Sequence, residues 1–173
     1  KYKDCILFYR LGDFYEMFFD DALTASRELE LTLTGRDCGL SERAPMCGVP
    51  YHAVETYLDR LIEKGYKVAI CEQMEDPALA KGLVQRDVIR VVTPGTVIES
   101  GMLDERSNNF LLSVCFSGEK AGLAFADVST GEFFVHQVED AGRTLADEVT
   151  RISPVEIIAS DLVRLREYVN RDD

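Results

Sequence analysis

Histidine is scarce in this 173-residue chain: only His52 and His136 occur. No Ser-His-Asp or Cys-His catalytic set can be assembled persuasively from two histidines so placed. The five cysteines, at 5, 38, 47, 71 and 115, are odd in number and contain no C-x-x-C pair. That pattern argues against a structural zinc site and against a disulfide framework. They are read as reduced, mostly buried thiols of a cytoplasmic protein. No G-x-x-x-x-G-K-[ST] phosphate loop occurs. No apolar run is long enough for a membrane helix, and no charged-then-apolar leader opens the chain, so secretion is not expected. The first residue is Lys1 and not Met, as in a trimmed piece of a longer protein.

Basic residues are few as well. The chain holds 19 Lys+Arg against 31 Asp+Glu, a net charge of −12. A simple nucleic-acid binder usually shows a basic face that neutralises phosphates. Residues 1–93 carry 12 Lys+Arg against 16 Asp+Glu, and residues 94–173 carry 7 against 15. The first part, at −4, leaves room for a local basic edge built from Arg10, Arg36, Arg43 and Arg90. The second, at −8, is a poor surface for DNA.

What is present is alternation. The apolar run from Cys5 to Tyr9 has the length of a buried strand, and Gly12-Asp13 punctuates it. Asp13 is a good N-cap, and Tyr15, Phe18, Phe19, Ala22, Ala25 and Leu29 form a stripe at helical spacing. The pattern therefore predicts a helix directly after Asp13, with Phe14 at the stripe's edge and Glu16 pointing away. Leu29 to Leu33 alternates like a half-buried strand, and residues 34–50 have no period and predict a long loop. A helix is predicted over Ala53 to Lys64, stopped by Gly65. Tyr66 to Cys71 reads as a strand, a turn of helix starts at Pro77, and Asp87 to Thr93 is another strand. This half is an α/β unit.

From 94 to 106 the period is lost, with some helical character near Met102, as in a linker. Phe110 to Phe116, Gly122 to Val128 and Glu132 to Val138 then predict an antiparallel meander with turns at Ser117-Gly118 and Ser129-Thr130-Gly131. Leu145, Val149 and Ile152 share one face of a helix ended by Pro154. Val155 to Ala159 reads as a strand buried on both faces, and Leu162 to Val169 as the start of another helix.

Four stretches carry a resemblance. Gly12-Asp13-Phe14-Tyr15-Glu16 is similar to the Phe-X-Glu motif, in its Gly-Asp-Phe-Tyr-Glu setting, of the MutS family of DNA mismatch-repair proteins. Ala44 to Val54, Val68 to Gln73 and Arg90 to Thr96 resemble further signatures of that family, in the same order over about ninety residues. The resemblance implies a mixed-sheet α/β mismatch-recognition domain over 1–94 (the family's domain I) and a linker over 95–106. The N-terminal part of a ribonuclease-H-like connector (domain II) would fill 107–173. It also implies that the ATPase, with ATP and Mg²⁺, lies outside this chain, which would hold no cofactor and no enzyme of its own. Implied partners are mismatched double-stranded DNA and, through the connector, a MutL-type protein. The full-length family protein dimerises, whereas a piece such as this is expected to be monomeric. The implied location is the bacterial cytoplasm, at the nucleoid when DNA is bound.

By the same resemblance, Phe14 wedges into the minor groove at a mismatch, and Glu16 hydrogen-bonds the mispaired base. An apolar wedge unstacks and kinks a duplex, at least cost where pairing is already poor. Beside phosphates a carboxylate favours its protonated form, which donates to a ring nitrogen, while its charge repels matched DNA. Arg10, Arg36 and His52 are candidate backbone contacts. Gly35 stands where some relatives have a basic residue, so no contact is carried over there.

Without the family, Phe14 could close a core edge, and Asp13 with Glu16 fits a capping box. Two other functions stay open. One is a protein-interaction module in the acidic second half. The other is a metal-dependent nuclease built on Asp127, in Ala126-Asp127-Val128-Ser129-Thr130-Gly131; it lacks evident companion carboxylates, and a turn-side role in local hydrogen bonding is favoured.

Overall fold

The computed structural model describes residues 2–39, 41–75, 82–98, 100–103 and 107–169. The chain divides into two compact units, residues 1–93 and 94–173.

The first unit is a six-stranded mixed sheet. Strands β1 (Ile6–Leu11) and β2 (Phe14–Phe18) form an antiparallel hairpin in which Leu11 faces Phe14 and Tyr9 faces Glu16. The two-residue loop opens with Gly12 at φ +58, the left-handed value that the first position of a type II′ hairpin turn requires. Helix α1 (Phe19–Leu29) follows β2 without a break. β3 (Thr34–Arg36) and β4 (Ala44–Pro50) pair with each other, and β4 pairs with β2. A 3-10 turn at Tyr51–Ala53 leads into α2 (Val54–Ile62). β5 (Val68–Gln73) then runs parallel to β1, and β6 (Arg86–Val92) closes the edge, giving the order β3-β4-β2-β1-β5-β6.

Three expectations for this unit are corrected. Phe14 to Phe18 is a strand, and the helix starts five residues later than predicted. Tyr15 and Met17 are buried at 6% and 0% exposure while Phe14 stands 47% exposed, so the segment obeys a period of two. Positions 15, 18, 19 and 22 fit the helical period, whereas the strand buries 15 and 17; pairing with β1 and β4 decides between them. The predicted strand at Leu29 to Leu33 instead begins with the last helical residue, Leu29, buried with Ala22 and Ala25 on the core face of α1. The predicted loop over 34–50 contains β3 and β4; the buried residues Ala44, Cys47 and Val49 do not alternate strictly, and Pro45, Gly48 and Pro50 stand among them, so no period of two is visible. Helix α2 buries Leu58, Leu61 and Ile62 as its stripe requires, and Gly65 at φ +81 ends the turn behind it. The helical turn expected at Pro77 lies outside the described residues.

The second unit opens with a 3-10 turn, Pro94–Thr96, whose Gly95 N–H donates to Glu156 Oε2 at 3.0 Å. A Cβ on Gly95 would lie 3.0 Å from the Leu111 Cβ and 3.1 Å from the Glu156 Cβ. The residue is small because two strands approach it. A second 3-10 turn covers Ser100–Met102. The meander forms as predicted: β7 (Phe110–Ser117), β8 (Lys120–Asp127) and β9 (Glu132–Val138) are antiparallel neighbours. Helix α3 (Ala141–Ile152) is capped by Asp140, which accepts from the Arg143 N–H at 3.1 Å. β10 (Glu156–Ala159) returns parallel to β7, and α4 (Leu162–Val169) follows. The core joins Leu112, Val114, Leu123 and Phe125 of the sheet to Leu145, Val149, Ile152 and Leu165 of the helices. Strand β10 is not buried on both faces: Ile157 packs against this core, whereas Ile158 is 49% exposed. The helices supply apolar cover to one side of it only. Among the described residues no helix is long and apolar enough to cross a membrane.

Candidate nucleic-acid interface

Alternation along β2 sends Tyr15 and Met17 into the core and turns Phe14, Glu16 and Phe18 to the opposite face of the sheet. Phe14 sits at the hairpin end, opposite Leu11 on β1 and Pro50 on β4. Glu16 sits one step in, opposite Tyr9 and Gly48. An aromatic ring and a carboxylate thus share one face two residues apart.

The capping-box alternative does not hold. Asp13 is in the hairpin loop, α1 starts at Phe19 with no side-chain cap, and Glu16 reaches another partner. Its Oε2 accepts from Arg36 Nη1 at 2.6 Å across the intervening strand β4. A Cβ on Gly48 of β4 would lie 3.2 Å from the Tyr15 carbonyl oxygen, a tight approach, and 3.5 Å from the Glu16 Cγ, an ordinary contact. Arg36 is half exposed, and its guanidinium also lies 5.9 Å from the centre of the Phe18 ring.

Arg10 is committed within the protein. Its Nε donates to the Gly12 carbonyl at 2.5 Å, and its guanidinium lies 3.9 Å over the Tyr51 ring and 5.5 Å from that of Tyr15. Its Nη1 is 3.6 Å from Glu72 Oε1, which also accepts a short hydrogen bond from the Tyr15 hydroxyl. The Tyr51 N–H donates to the Asp13 carbonyl at 2.9 Å, and Arg86 Nε donates to the Arg10 carbonyl at 2.9 Å. The hairpin loop below Phe14 is therefore tied to the 3-10 turn after β4 and to β5 and β6. A cation–π contact this close contributes about 0.5–2 kcal/mol. His52 is exposed beside the loop, edge-on to Tyr51 with ring centres 5.8 Å apart.

Sequence reasoning missed this brace. Tyr51 and Glu72 lie inside two of the family motifs, but nothing in their spacing shows that they meet at Arg10. Burial pushes the Tyr15 hydroxyl up to about 12, helped by its hydrogen bond to Glu72 and the charge there. A raised value means that the folded state holds the proton more tightly. The associated stability is complete below pH 10 and is lost as pH rises towards 12. Tyr15→Phe is expected to cost about 0.5–1.5 kcal/mol at neutral pH and to flatten that alkaline loss. Urea midpoints of both proteins across pH 8 to 12 check it; an identical alkaline limb in Tyr15→Phe would count against the bond.

Asp127, the nuclease candidate, is 2% exposed. Its Oδ1 accepts from the Ser129 N–H at 2.9 Å, the Ser129 hydroxyl at 2.5 Å and the Thr130 N–H at 3.3 Å, and its Oδ2 accepts from the Asn109 N–H at 2.8 Å. Both oxygens are spent on the turn after β8 and on the approach to β7. Among the described residues no group of three or more His, Cys, Asp or Glu could hold a metal ion. Cys5, Cys47 and Cys71 are buried, and Cys38 and Cys115 are exposed.

The chain matches known proteins along nearly its whole length. The family model for MutS domain I matches residues 1–101, and that for MutS domain II matches 109–170. The DNA mismatch repair protein MutS of Ruminiclostridium cellulolyticum is 63% identical over 163 residues, covering 93% of this chain and 19% of that protein. The corresponding protein of Acetivibrio thermocellus is 62% identical over 92% of this chain and 19% of its own length. That of Clostridium tetani is 53% identical over 99% and 20%. The chain thus spans about a fifth of the length of these relatives. With both units matched by MutS domains and relatives more than half identical along it, the chain belongs to the MutS family.

Proposed function

We propose that this chain reads mismatched base pairs in duplex DNA on behalf of a larger mismatch-repair protein. Phe14 is the wedge that enters the minor groove, and Glu16 contacts the edge of the mispaired base. One observation carries this reading: a half-exposed phenylalanine and a carboxylate share a sheet face, at a hairpin held rigid by Arg10, Tyr15, Tyr51 and Glu72. A ring inserted between base steps pays the cost of unstacking, which is least where pairing is already poor. A rigid support keeps that cost on the DNA and not on the protein. Arg36 and His52 flank the same face as backbone contacts, whereas Arg10 serves the brace.

The first unit's small charge excess, −4, leaves such a face workable. The second unit, at −8, suits a protein partner better than DNA, and a MutL-type protein is the partner we assign to it. The carboxylate of Asp127 is absorbed in its turn, which favours a structural role over a nuclease. We place ATP and Mg²⁺ outside this chain, which has no G-x-x-x-x-G-K-[ST] phosphate loop. They belong to the remainder of a dimeric full-length protein, and this chain carries no reaction of its own. We assign the whole to the bacterial cytoplasm.

The test is Glu16→Gln in a full-length MutS protein carrying this chain. Removing a negative charge that faces phosphates is expected to tighten binding to a G·C duplex several-fold. The ratio of G·T to G·C affinity should shrink accordingly. Unchanged G·C affinity, measured by fluorescence anisotropy, would remove Glu16 from the interface.

A further inference from the structure

The Glu16–Arg36 pair has a geometry that the proposed contacts do not by themselves require, and any role for it on DNA rests on the mismatch-reading function. The Glu16 side chain is 18% exposed and the Arg36 side chain 48%, with a 2.6 Å bond between them. Glu16 faces Gly48 in the β2–β4 pairing and reaches past that strand to Arg36 on β3. For each partner a second engagement competes with the first. Glu16 cannot meet a base edge while it leans on Arg36. Arg36 cannot grip a phosphate with the nitrogen that holds Glu16. A solvent-facing ion pair is weak and exchanges readily, and a guanidinium meets a phosphate through the same forked geometry it uses for a carboxylate.

We propose that Glu16 and Arg36 form an exchangeable pair: when Glu16 turns to a mismatched base it releases Arg36 to a phosphate of the same duplex. On matched DNA the carboxylate finds no base partner and keeps Arg36 occupied. Glu16 then lowers homoduplex affinity in two ways, by its own charge and by withholding a cation. Discrimination gains a backbone term, because the mismatched complex neutralises one phosphate more than the matched one.

That extra phosphate has a signature in salt dependence, where each neutralised phosphate adds about 0.9 to the slope of log K against log salt. The experiment uses the full-length protein with G·T and G·C duplexes over a range of salt. The wild type should show a slope on G·T steeper by about one than on G·C. Arg36→Gln should make the two slopes equal, while Arg36→Lys, which keeps a cation, should preserve most of the difference. Glu16→Gln should steepen the G·C slope by about one, and only where Arg36 is present. Parallel slopes in the wild type, or a difference that survives Arg36→Gln, would overturn the exchange. If discrimination still depends on Phe14 and Glu16 in that case, the mismatch-reading proposal stands without it. If neither residue affects discrimination, the reading itself falls.

Discussion

Phe14→Ala is expected to abolish the preference for mismatched DNA while leaving the protein folded. The ring is 47% exposed on the open face of β2, at the end of a hairpin whose opposite face carries the buried residues Tyr15 and Met17. Truncating a fully buried phenylalanine would cost about 3–5 kcal/mol. Here roughly half of the ring is already in water, so the cost should be well under that. The brace around Gly12 does not use the ring: Arg10, Tyr51 and Glu72 bond to backbone or to one another. Function should respond far more, because without an apolar wedge nothing distinguishes a duplex that unstacks easily from one that does not. The G·T to G·C affinity ratio of the full-length protein should fall to near one, with the melting temperature within a few degrees of wild type. A large drop in melting temperature would return Phe14 to the core.

Asp127→Asn is expected to give the largest loss of stability, about 2–4 kcal/mol, since several buried donors lose a charged acceptor together. The carboxylate takes bonds from Asn109, Ser129 and Thr130. The asparagine keeps one acceptor oxygen but turns an N–H₂ towards donors. Burial alone would raise the Asp127 carboxyl, yet the bonds from Ser129, Asn109 and Thr130 outweigh it and hold the group below its ordinary value of 3.8. A depressed value contributes stability that is present above the ordinary carboxyl range and lost as pH falls through the folded-state value. The wild type should therefore lose stability on acidification more steeply than the asparagine variant. Urea titrations at pH 7 and at pH 3 check both statements. Equal midpoints at pH 7 would show that the turn does not need the carboxylate.

Local pattern determined a good part of this protein on its own. Helices α2 and α3 and the β7–β8–β9 meander lie close to where their spacing puts them, because each buries one face against the core and repeats a single unambiguous period. The motif Gly12 to Glu16 pointed to the family and to the two residues of the proposed site. Its secondary structure was another matter. Aromatic side chains crowd positions 14 to 19, and a stripe at 15, 18, 19 and 22 satisfies the helical period as well as alternation satisfies the strand. Hydrogen bonding to two neighbouring strands, one of them hidden among prolines and glycines, broke the tie. Only tertiary structure brought Arg36 to Glu16, twenty residues and two strand pairings away, and set Gly48 between them. It alone gathered Arg10, Tyr15, Tyr51 and Glu72 beneath Phe14. The reason is physical: a period tells which face a side chain takes, whereas its partner across a sheet depends on strand order and register, which long-range pairing decides.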